Sequence, residues 1–244
     1  MSRNKRDGVI LSLLILLLLA LNYSFFDDEL ENFLNKGATE KVFVDRVIDG
    51  DTIEAKGKNE SIRLLGINTP ERGEVYYNEA KKFLEDKILK QNVTLKFTKE
   101  RYDKYDRLPA YVFLEQNAGS ENVNVEMVRN GFANHYFYSG SDIYSEDLLN
   151  AWKICIENEV NLCEPSEHVC KSCIVLKKDS VLNSCRISCN ISGWQIKGEG
   201  REKFIFENQE LKPDKESKFS LDLTNTGGDL FLRDSEGKLV LWKG

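Results

Sequence analysis

Two apolar runs in the first third of the chain constrain its fold more than any other feature. Residues 44–53 read Val-Asp-Arg-Val-Ile-Asp-Gly-Asp-Thr-Ile, and residues 62–71 read Ile-Arg-Leu-Leu-Gly-Ile-Asn-Thr-Pro-Glu. An Asp-Gly pair between β-branched residues is a strong signal for a β-hairpin turn. The second run must end at Pro70, because proline cannot continue a central strand. The pattern predicts strands whose ends bring polar residues to one edge of a sheet.

Those polar residues are suited to a metal and phosphate site. Asp51 follows the predicted turn, and Asn68, Thr69 and Glu71 fall on the loop after the second run. Arg63 lies inside a strand pattern, where a guanidinium group is costly unless an anion meets it. Oxygen ligands beside a fixed cation suit a hard metal ion plus a phosphate. Taken singly, the Asp-Gly-Asp sequence is commonly only a turn, and a strand arginine is commonly a surface residue.

In combination, these motifs resemble the thermonuclease (staphylococcal nuclease-like) family. Its patterns run Asp-Gly-Asp-Thr, then Arg-Leu-Leu-x-x-Asp-Thr-Pro-Glu, then Asp-Lys-Tyr-Gly-Arg, and residues 49–52, 63–71 and 103–107 follow them in that order. The resemblance covers roughly residues 41–166. It implies an OB-fold nuclease that hydrolyses phosphodiester bonds of DNA, with RNA as a further substrate. It also implies Ca²⁺ as cofactor and endonucleolytic products that carry a 3′-phosphate.

The resemblance further implies a role for each matching residue. The implied metal ligands are Asp51, Asn68 and Thr69, the last through its backbone carbonyl. The implied catalytic residues are Glu71, which activates the water, with Arg63 and Arg107, which bind phosphate. The implied nucleotide-binding residues are Lys104, Tyr105, Tyr136 and Tyr138. Packing on the barrel is an equally good interpretation of the last two tyrosines.

The chain departs from the family pattern at two positions. Asn68 is a neutral amide where the pattern has a carboxylate, and Ca²⁺ affinity falls as ligand charge is removed. Asp106 replaces the glycine before Arg107, where its carboxylate could bind metal or pair with that arginine. The two changes predict an active nuclease that needs a high Ca²⁺ concentration.

The periodicity of residues 41–166 predicts a five-stranded OB-fold barrel with three helices. The predicted strands are residues 42–48, 52–55, 61–67, 93–97 and 110–114. The predicted helices are residues 77–89, 122–130 and 145–159.

The amino terminus has the pattern of a membrane signal. Arg3, Lys5 and Arg6 precede an apolar run at residues 9–21, and no convincing cleavage site follows it. We expect residues 1–26 to be an uncleaved signal anchor in the cell membrane, crossing once, with the rest extracellular because positive charge stays inside. A cleaved signal, which would make the protein secreted, and a buried helix are the alternatives. Residues 27–40 are predicted to be a linker.

All six cysteines lie between Cys155 and Cys189. Cys170-x-x-Cys173 and Cys185-x-x-x-Cys189 could be read as a zinc knuckle. An outward-facing protein favours disulfides instead. Cys155 with Cys163 is the expected local pair, and the sequence cannot choose among the other pairings.

Residues 167–244 are expected to form a Cys-rich junction followed by a small immunoglobulin-like β-sandwich. The predicted strands are residues 174–176, 187–191, 194–196, 204–206, 219–223, 230–232 and 239–242. The sequences Ser-Gly-Trp at 192–194 and Gly-Asp at 228–229 contribute to a resemblance to the lamin-tail domain. The region carries no acid/base pair, so we expect an accessory module whose ligand is nucleic acid, a cell-surface polymer or a protein.

The net charge of −6 gives no general attraction to nucleic acid, so binding must come from local basic groups. Two histidines in the whole chain count against a histidine-rich metal site. Two non-catalytic alternatives stay open, namely an OB-fold nucleic-acid-binding protein that has lost its metal and a surface adhesion protein.

Overall fold

The computed structural model describes residues 39–98, 102–117, 119–137, 143–222 and 228–244. The predicted signal anchor, almost all of the predicted linker and Tyr138 lie outside these residues. Within the described ranges no helix has the length and apolar character needed to span a membrane. Residues 39–244 group as one unit of structure.

A closed barrel of five strands forms the first part of this unit. The barrel strands are β1 (Thr39–Asp49), β2 (Thr52–Ala55), β3 (Ile62–Leu64), β5 (Asn92–Phe97) and β6 (Leu108–Gln116). They pair in the order β3-β2-β1-β5-β6, and a parallel pairing of β6 with β3 closes the circle. A further strand, β7 (Gly119–Asn122), pairs antiparallel with β6. The barrel confirms the predicted fold class.

Three α-helices accompany the barrel in the described part of the chain. They are α1 (Tyr77–Ile88), α2 (Val123–Arg129) and α3 (Ser145–Asn158), each within one residue of its predicted bounds at both ends. α1 buries Ala80, Leu84 and Ile88 at the four-residue spacing of one helix face. Asn122 caps α2, because its side-chain oxygen accepts hydrogen bonds from the first helical amides.

The single strand predicted over residues 61–67 was wrong, because the chain turns at Leu65 and Gly66. β3 ends at Leu64, and a second short strand, β4 (Ile67–Asn68), pairs with β8 (Asn134–His135) instead. Gly66 has a φ of +71°, and a side chain there would meet Leu148 Cδ1 at 2.4 Å. The turn therefore requires glycine.

The carboxyl-terminal region contains three further sheets and a hydrophobic core around Trp194 and Phe206. One sheet comprises β9 (Ile174–Leu176), β10 (Ser180–Asn183) and β15 (Glu216–Lys218). The second comprises β11 (Cys189–Asn190) and β14 (Glu210–Leu211). The third comprises β12 (Gln195–Gly198), β13 (Lys203–Ile205), β16 (Leu230–Arg233) and β17 (Leu239–Lys243). Single-turn 3₁₀ helices lie at Asn161–Cys163 and Lys171–Cys173.

The sequence found six of these strands near their observed positions and missed β10, β14 and β15. The strand predicted from residue 219 was wrong over residues 219–222, which follow β15 without strand structure. The immunoglobulin-like arrangement and the lamin-tail resemblance stay predictions.

Disulfides join all six cysteines, as predicted. The pairs are Cys155–Cys163, Cys170–Cys189 and Cys173–Cys185. Three of the sulfurs lie close enough together for a metal ion, but each of them is already bonded to another sulfur. The zinc alternative was therefore wrong.

The carboxyl-terminal sheet packs against the helix that follows the barrel. Phe231 on β16 and Trp242 on β17 lie 5.2 and 6.4 Å, between ring centroids, from Trp152 on α3. His135 lies in the same cluster, and its Nε2 is 2.6 Å from Asp229 Oδ2. Because β12 and β13 belong to the same sheet as β16 and β17, these contacts also fix the position of the loop between β12 and β13.

Candidate active site

The centre of the site is a buried ion pair between Asp51 and Arg63. The turn between β1 and β2 consists of Gly50 and Asp51, so the aspartate lies within the turn rather than after it. Arg63 Nη2 lies 2.9 Å from Asp51 Oδ2, and only 5% of Asp51 and 8% of Arg63 are exposed. The backbone amide and hydroxyl of Thr69 donate to the same carboxylate oxygen at 3.2 and 3.0 Å, and the Thr52 hydroxyl donates to Oδ1 at 3.1 Å. The anion expected for a strand arginine is therefore present.

Arg63 is held rigidly and has two cationic neighbours. Its guanidinium group donates to the carbonyl oxygens of Leu64 at 2.5 Å and Ile67 at 2.8 Å. Burial lowers the pKa of Arg63, Asp51 opposes this effect, and the charges of Arg107 and Arg201 lower the pKa further. Two more guanidinium groups therefore act on the same edge of the barrel.

A second carboxylate, that of Asp49 at the end of β1, lies next to the turn. The Asp51 amide donates to Asp49 Oδ1 at 3.2 Å. Burial and the negative charge of Asp51 raise the pKa of Asp49. The positive charge of Arg63, which is paired with Asp51, offsets part of this repulsion. The Asp51 carboxylate, the Asn68 side-chain carbonyl and the Thr69 backbone carbonyl are chemically the oxygen donors that a hard divalent ion such as Ca²⁺ prefers.

Asn68 has a structural reason to be an amide. Its Nδ2 donates to the backbone carbonyls of Glu199 at 3.0 Å and Gly200 at 2.8 Å, both in the loop between β12 and β13. An aspartate carboxylate at this buried position would face two carbonyl oxygens with no hydrogen to offer them. The departure from the family pattern therefore fits the contact with the carboxyl-terminal sheet.

Glu71 lies at the rim and pairs with a residue of the same loop. Arg201 Nε is 3.1 Å from Glu71 Oε1, and both side chains are about half exposed. The Glu71 amide donates to Glu74 Oε2 at 2.8 Å, which fixes the backbone of the rim loop. The predicted base is thus reachable from solvent and carries a cationic neighbour.

Arg107 is anchored by its own loop. Its Nε and Nη2 lie 2.7 and 2.6 Å from Asp103 Oδ2. Burial raises the pKa of Asp103, but hydrogen bonds from Arg107 and from the Tyr105 amide outweigh it, so the pKa is lowered overall. Asp106 has a φ of +58°, the conformation for which the family pattern uses glycine. The ion pair of Arg107 is therefore with Asp103 and not with Asp106.

Two of the four predicted nucleotide-binding residues, Lys104 and Tyr105, lie together beside Arg107. Tyr105 is exposed, and three cations surround its ring: Lys104 Nζ at 5.1 Å, Arg107 Cζ at 5.2 Å and Arg201 Cζ at 5.5 Å from the centroid. Tyr136 is half buried, and its amide donates to the Gly66 carbonyl at 2.8 Å.

Sequence reasoning missed Arg201. It lies 94 positions after Arg107, in a region without any recognised catalytic pattern, so no local signal connects it with the barrel. Its charge is also unremarkable in a chain with 34 lysines and arginines.

Comparisons with known proteins identify the family to which the chain belongs. Residues 61–162 match the family model described as staphylococcal nuclease homologue. The chain is 32% identical over 165 residues to the thermonuclease of Staphylococcus intermedius, a match that covers 64% of this chain and 96% of that protein. The chain belongs to the staphylococcal nuclease family.

Two other relatives support this assignment. The thermonuclease of Staphylococcus hyicus is 30% identical over 155 residues, covering 60% of this chain and 89% of that protein. An uncharacterized endonuclease of Haemophilus influenzae is 34% identical over 128 residues, covering 50% of this chain and 68% of that protein. Membership in the staphylococcal nuclease family confirms the predicted nuclease class. The family model ends at residue 162, so Arg201 and the sheet that carries it lie beyond it.

Proposed function

We propose that this nuclease is a Ca²⁺-dependent endonuclease that hydrolyses phosphodiester bonds of DNA and also of RNA, leaving a 3′-phosphate. The observation that carries the proposal is the buried pair of Asp51 and Arg63 at a barrel edge. A rigid guanidinium group beside oxygen ligands can bind a phosphodiester and a divalent ion at once.

The chain's own groups divide the reaction between them. Asp51, Asn68 and the Thr69 carbonyl would hold the divalent ion, which when bound polarises a phosphoryl oxygen. Glu71, at the exposed rim, accepts a proton from the attacking water. Arg63 and Arg107 donate hydrogen bonds to the phosphoryl oxygens, on which negative charge increases in the transition state.

Asn68 makes Ca²⁺ binding weak. The donor set contains one carboxylate fewer than the family pattern, and the hydrogen bonds to residues 199 and 200 fix the amide. We therefore propose a requirement for Ca²⁺ in the millimolar range, which is typical of sites with few charged ligands.

The test is cleavage of a single-stranded DNA oligonucleotide and an RNA of the same sequence by the full chain. Ca²⁺ is titrated against an EDTA blank, and the product ends are identified by mass spectrometry. Glu71→Ala should lose roughly 10²-fold or more in kcat. Glu54→Ala removes a carboxylate that is 44% exposed and is the matched control. No cleavage by the unmodified chain at millimolar Ca²⁺, or full activity from Glu71→Ala, would contradict the proposal.

We also propose that the nuclease is anchored in the membrane by residues 1–26, with residues 39–244 facing outward. Three disulfides support this placement, because they persist in oxidising compartments and are rare in the cytosol. Labelling of intact cells with a membrane-permeable thiol reagent, without reductant, should leave all six cysteines unmodified. Six labelled thiols would contradict the outward orientation. A cell-surface ligand of the carboxyl-terminal region stays a prediction.

A further inference from the structure

We propose that Arg201, in the loop between β12 and β13, is a third phosphate-binding residue of the nuclease site, so that the carboxyl-terminal sheet forms one wall of the substrate groove. The inference rests on the proposed function and extends it to a region outside the family model, which spans residues 61–162 and so does not include this cation.

The first argument is position. Arg201 Nε contacts Glu71 Oε1 at 3.1 Å, and its guanidinium carbon lies 5.5 Å from the Tyr105 ring centroid. Arg107 approaches the same ring at 5.2 Å. Arg201 therefore contacts the proposed base and approaches the same aromatic ring as the second phosphate-binding arginine.

The second argument is that the loop is built into the unit rather than resting on its surface. Asn68 holds the backbone carbonyls of Glu199 and Gly200. The Glu199 carboxylate accepts from the Phe137 amide at 2.6 Å and from the Asp229 amide at 3.1 Å. Glu199 is fully buried, so hydrogen bonds to both the nuclease region and the carboxyl-terminal region hold the residues before Arg201 in place.

The third argument concerns charge and access. The Arg201 side chain is 49% exposed, and exposed ion pairs contribute about 0–1 kcal/mol. A phosphate can therefore displace Glu71 from Arg201 at little cost. Three cations around one ring repel each other, and an anionic strand would relieve that repulsion. The arrangement suits a polyanion in a chain whose net charge is −6.

The experiment compares full-length Arg201→Ala and Arg201→Lys with Arg46→Ala. Arg46 is a barrel arginine that is 66% exposed and pairs with Glu54. Arg46→Ala removes the same single positive charge as Arg201→Ala. Binding of a fluorescent single-stranded DNA oligonucleotide is measured in EDTA, where the strand stays intact, across a range of salt concentrations. Each phosphate contact contributes a slope of about −0.7 to the dependence of log K on log salt.

We expect Arg201→Ala to weaken binding about 3- to 10-fold and to flatten the salt slope by about 0.7. Arg201→Lys should keep the slope and recover part of the affinity, because it keeps the charge but not the planar fork. In Ca²⁺, Arg201→Ala should raise KM by a similar factor with kcat within about twofold, as for an interaction made equally in ground and transition states. Arg46→Ala should match the unmodified protein.

Affinity and salt slope for Arg201→Ala equal to those of Arg46→Ala would overturn the inference, and so would faster cleavage, which would indicate that Arg201 inhibits Glu71. Failure of the unmodified chain to cleave in Ca²⁺ would overturn the proposed function instead. The two failures are distinguishable because binding in EDTA requires no catalysis.

Discussion

Asn68→Asp restores the family's carboxylate, yet we expect it to destabilise this protein. The Asn68 amide donates two hydrogen bonds, at 3.0 and 2.8 Å, to the carbonyls of Glu199 and Gly200, and the residue is 3% exposed. A typical hydrogen bond contributes about 1 kcal/mol net, and a buried unpaired polar group costs about 1–3 kcal/mol more. For two hydrogen bonds the sum is roughly 3–5 kcal/mol in the absence of metal.

The measurement is thermal unfolding of the full chain in EDTA at about pH 8. About 1 kcal/mol shifts the melting temperature by roughly 2–4 °C in a protein of this size, so the expected decrease is about 6–20 °C. Asn92→Asp makes the same chemical change at an exposed position of β5 and should alter stability by less than about 0.5 kcal/mol.

Two dependencies make this prediction specific. A protonated carboxyl group at position 68 can donate one hydrogen bond to a carbonyl, so folding should raise the pKa of the introduced carboxyl group above its unfolded value. The variant should then recover stability as pH falls and lose it as pH rises. Ca²⁺ should stabilise Asn68→Asp more than the unmodified protein, because a carboxylate binds the ion better than an amide. Equal stability of Asn68→Asp and Asn92→Asp in EDTA at the same alkaline pH would refute the reasoning.

Three further predictions concern the same barrel edge. Arg63→Lys should lower kcat/KM on the order of 10²- to 10³-fold. The lysine ammonium group cannot reproduce the planar guanidinium group that pairs with Asp51 and would bind a phosphate. Activity close to that of the unmodified enzyme would contradict this prediction. Gly50→Ala should lower the free energy of unfolding, measured with denaturant, by about 1–3 kcal/mol, because the new methyl group would lie 3.0 Å from the Thr69 side chain. Gly57→Ala is the comparison: its methyl group would meet no atom within 4 Å, so that variant measures only the cost of the left-handed backbone conformation. Burial raises the pKa of Glu74, but Lys197, Lys203 and the Glu71 amide lower it below the usual 4.5 overall. Its contribution to stability is therefore complete above the unfolded pKa and is lost as pH falls through the folded pKa. Glu74→Gln should make the free energy of unfolding depend less steeply on pH in the acidic range. An unchanged pH dependence would exclude this role.

Much of the barrel could be predicted from the sequence because its signals are local. The four-residue spacing of Ala80, Leu84 and Ile88 predicts the first helix, and an Asp-Gly pair predicts the hairpin that carries Asp51. A guanidinium group in a strand pattern predicts a nearby anion, and Asp51 meets it, because desolvation makes an isolated buried charge too costly. The strand predicted from residue 61 was too long, because apolar periodicity does not reveal a turn that depends on Gly66.

The sequence by itself therefore determined the barrel and the motifs of the candidate site, whereas the tertiary structure alone decided what surrounds them. Asn68 and Glu199 are 131 positions apart, and no periodic pattern connects residues at that distance. They meet because Phe231 and Trp242 bury their rings against Trp152, which brings the β12–β13 loop to the barrel edge. Burial of large apolar surfaces is non-directional, so only the assembled fold specifies which polar side chains it places together.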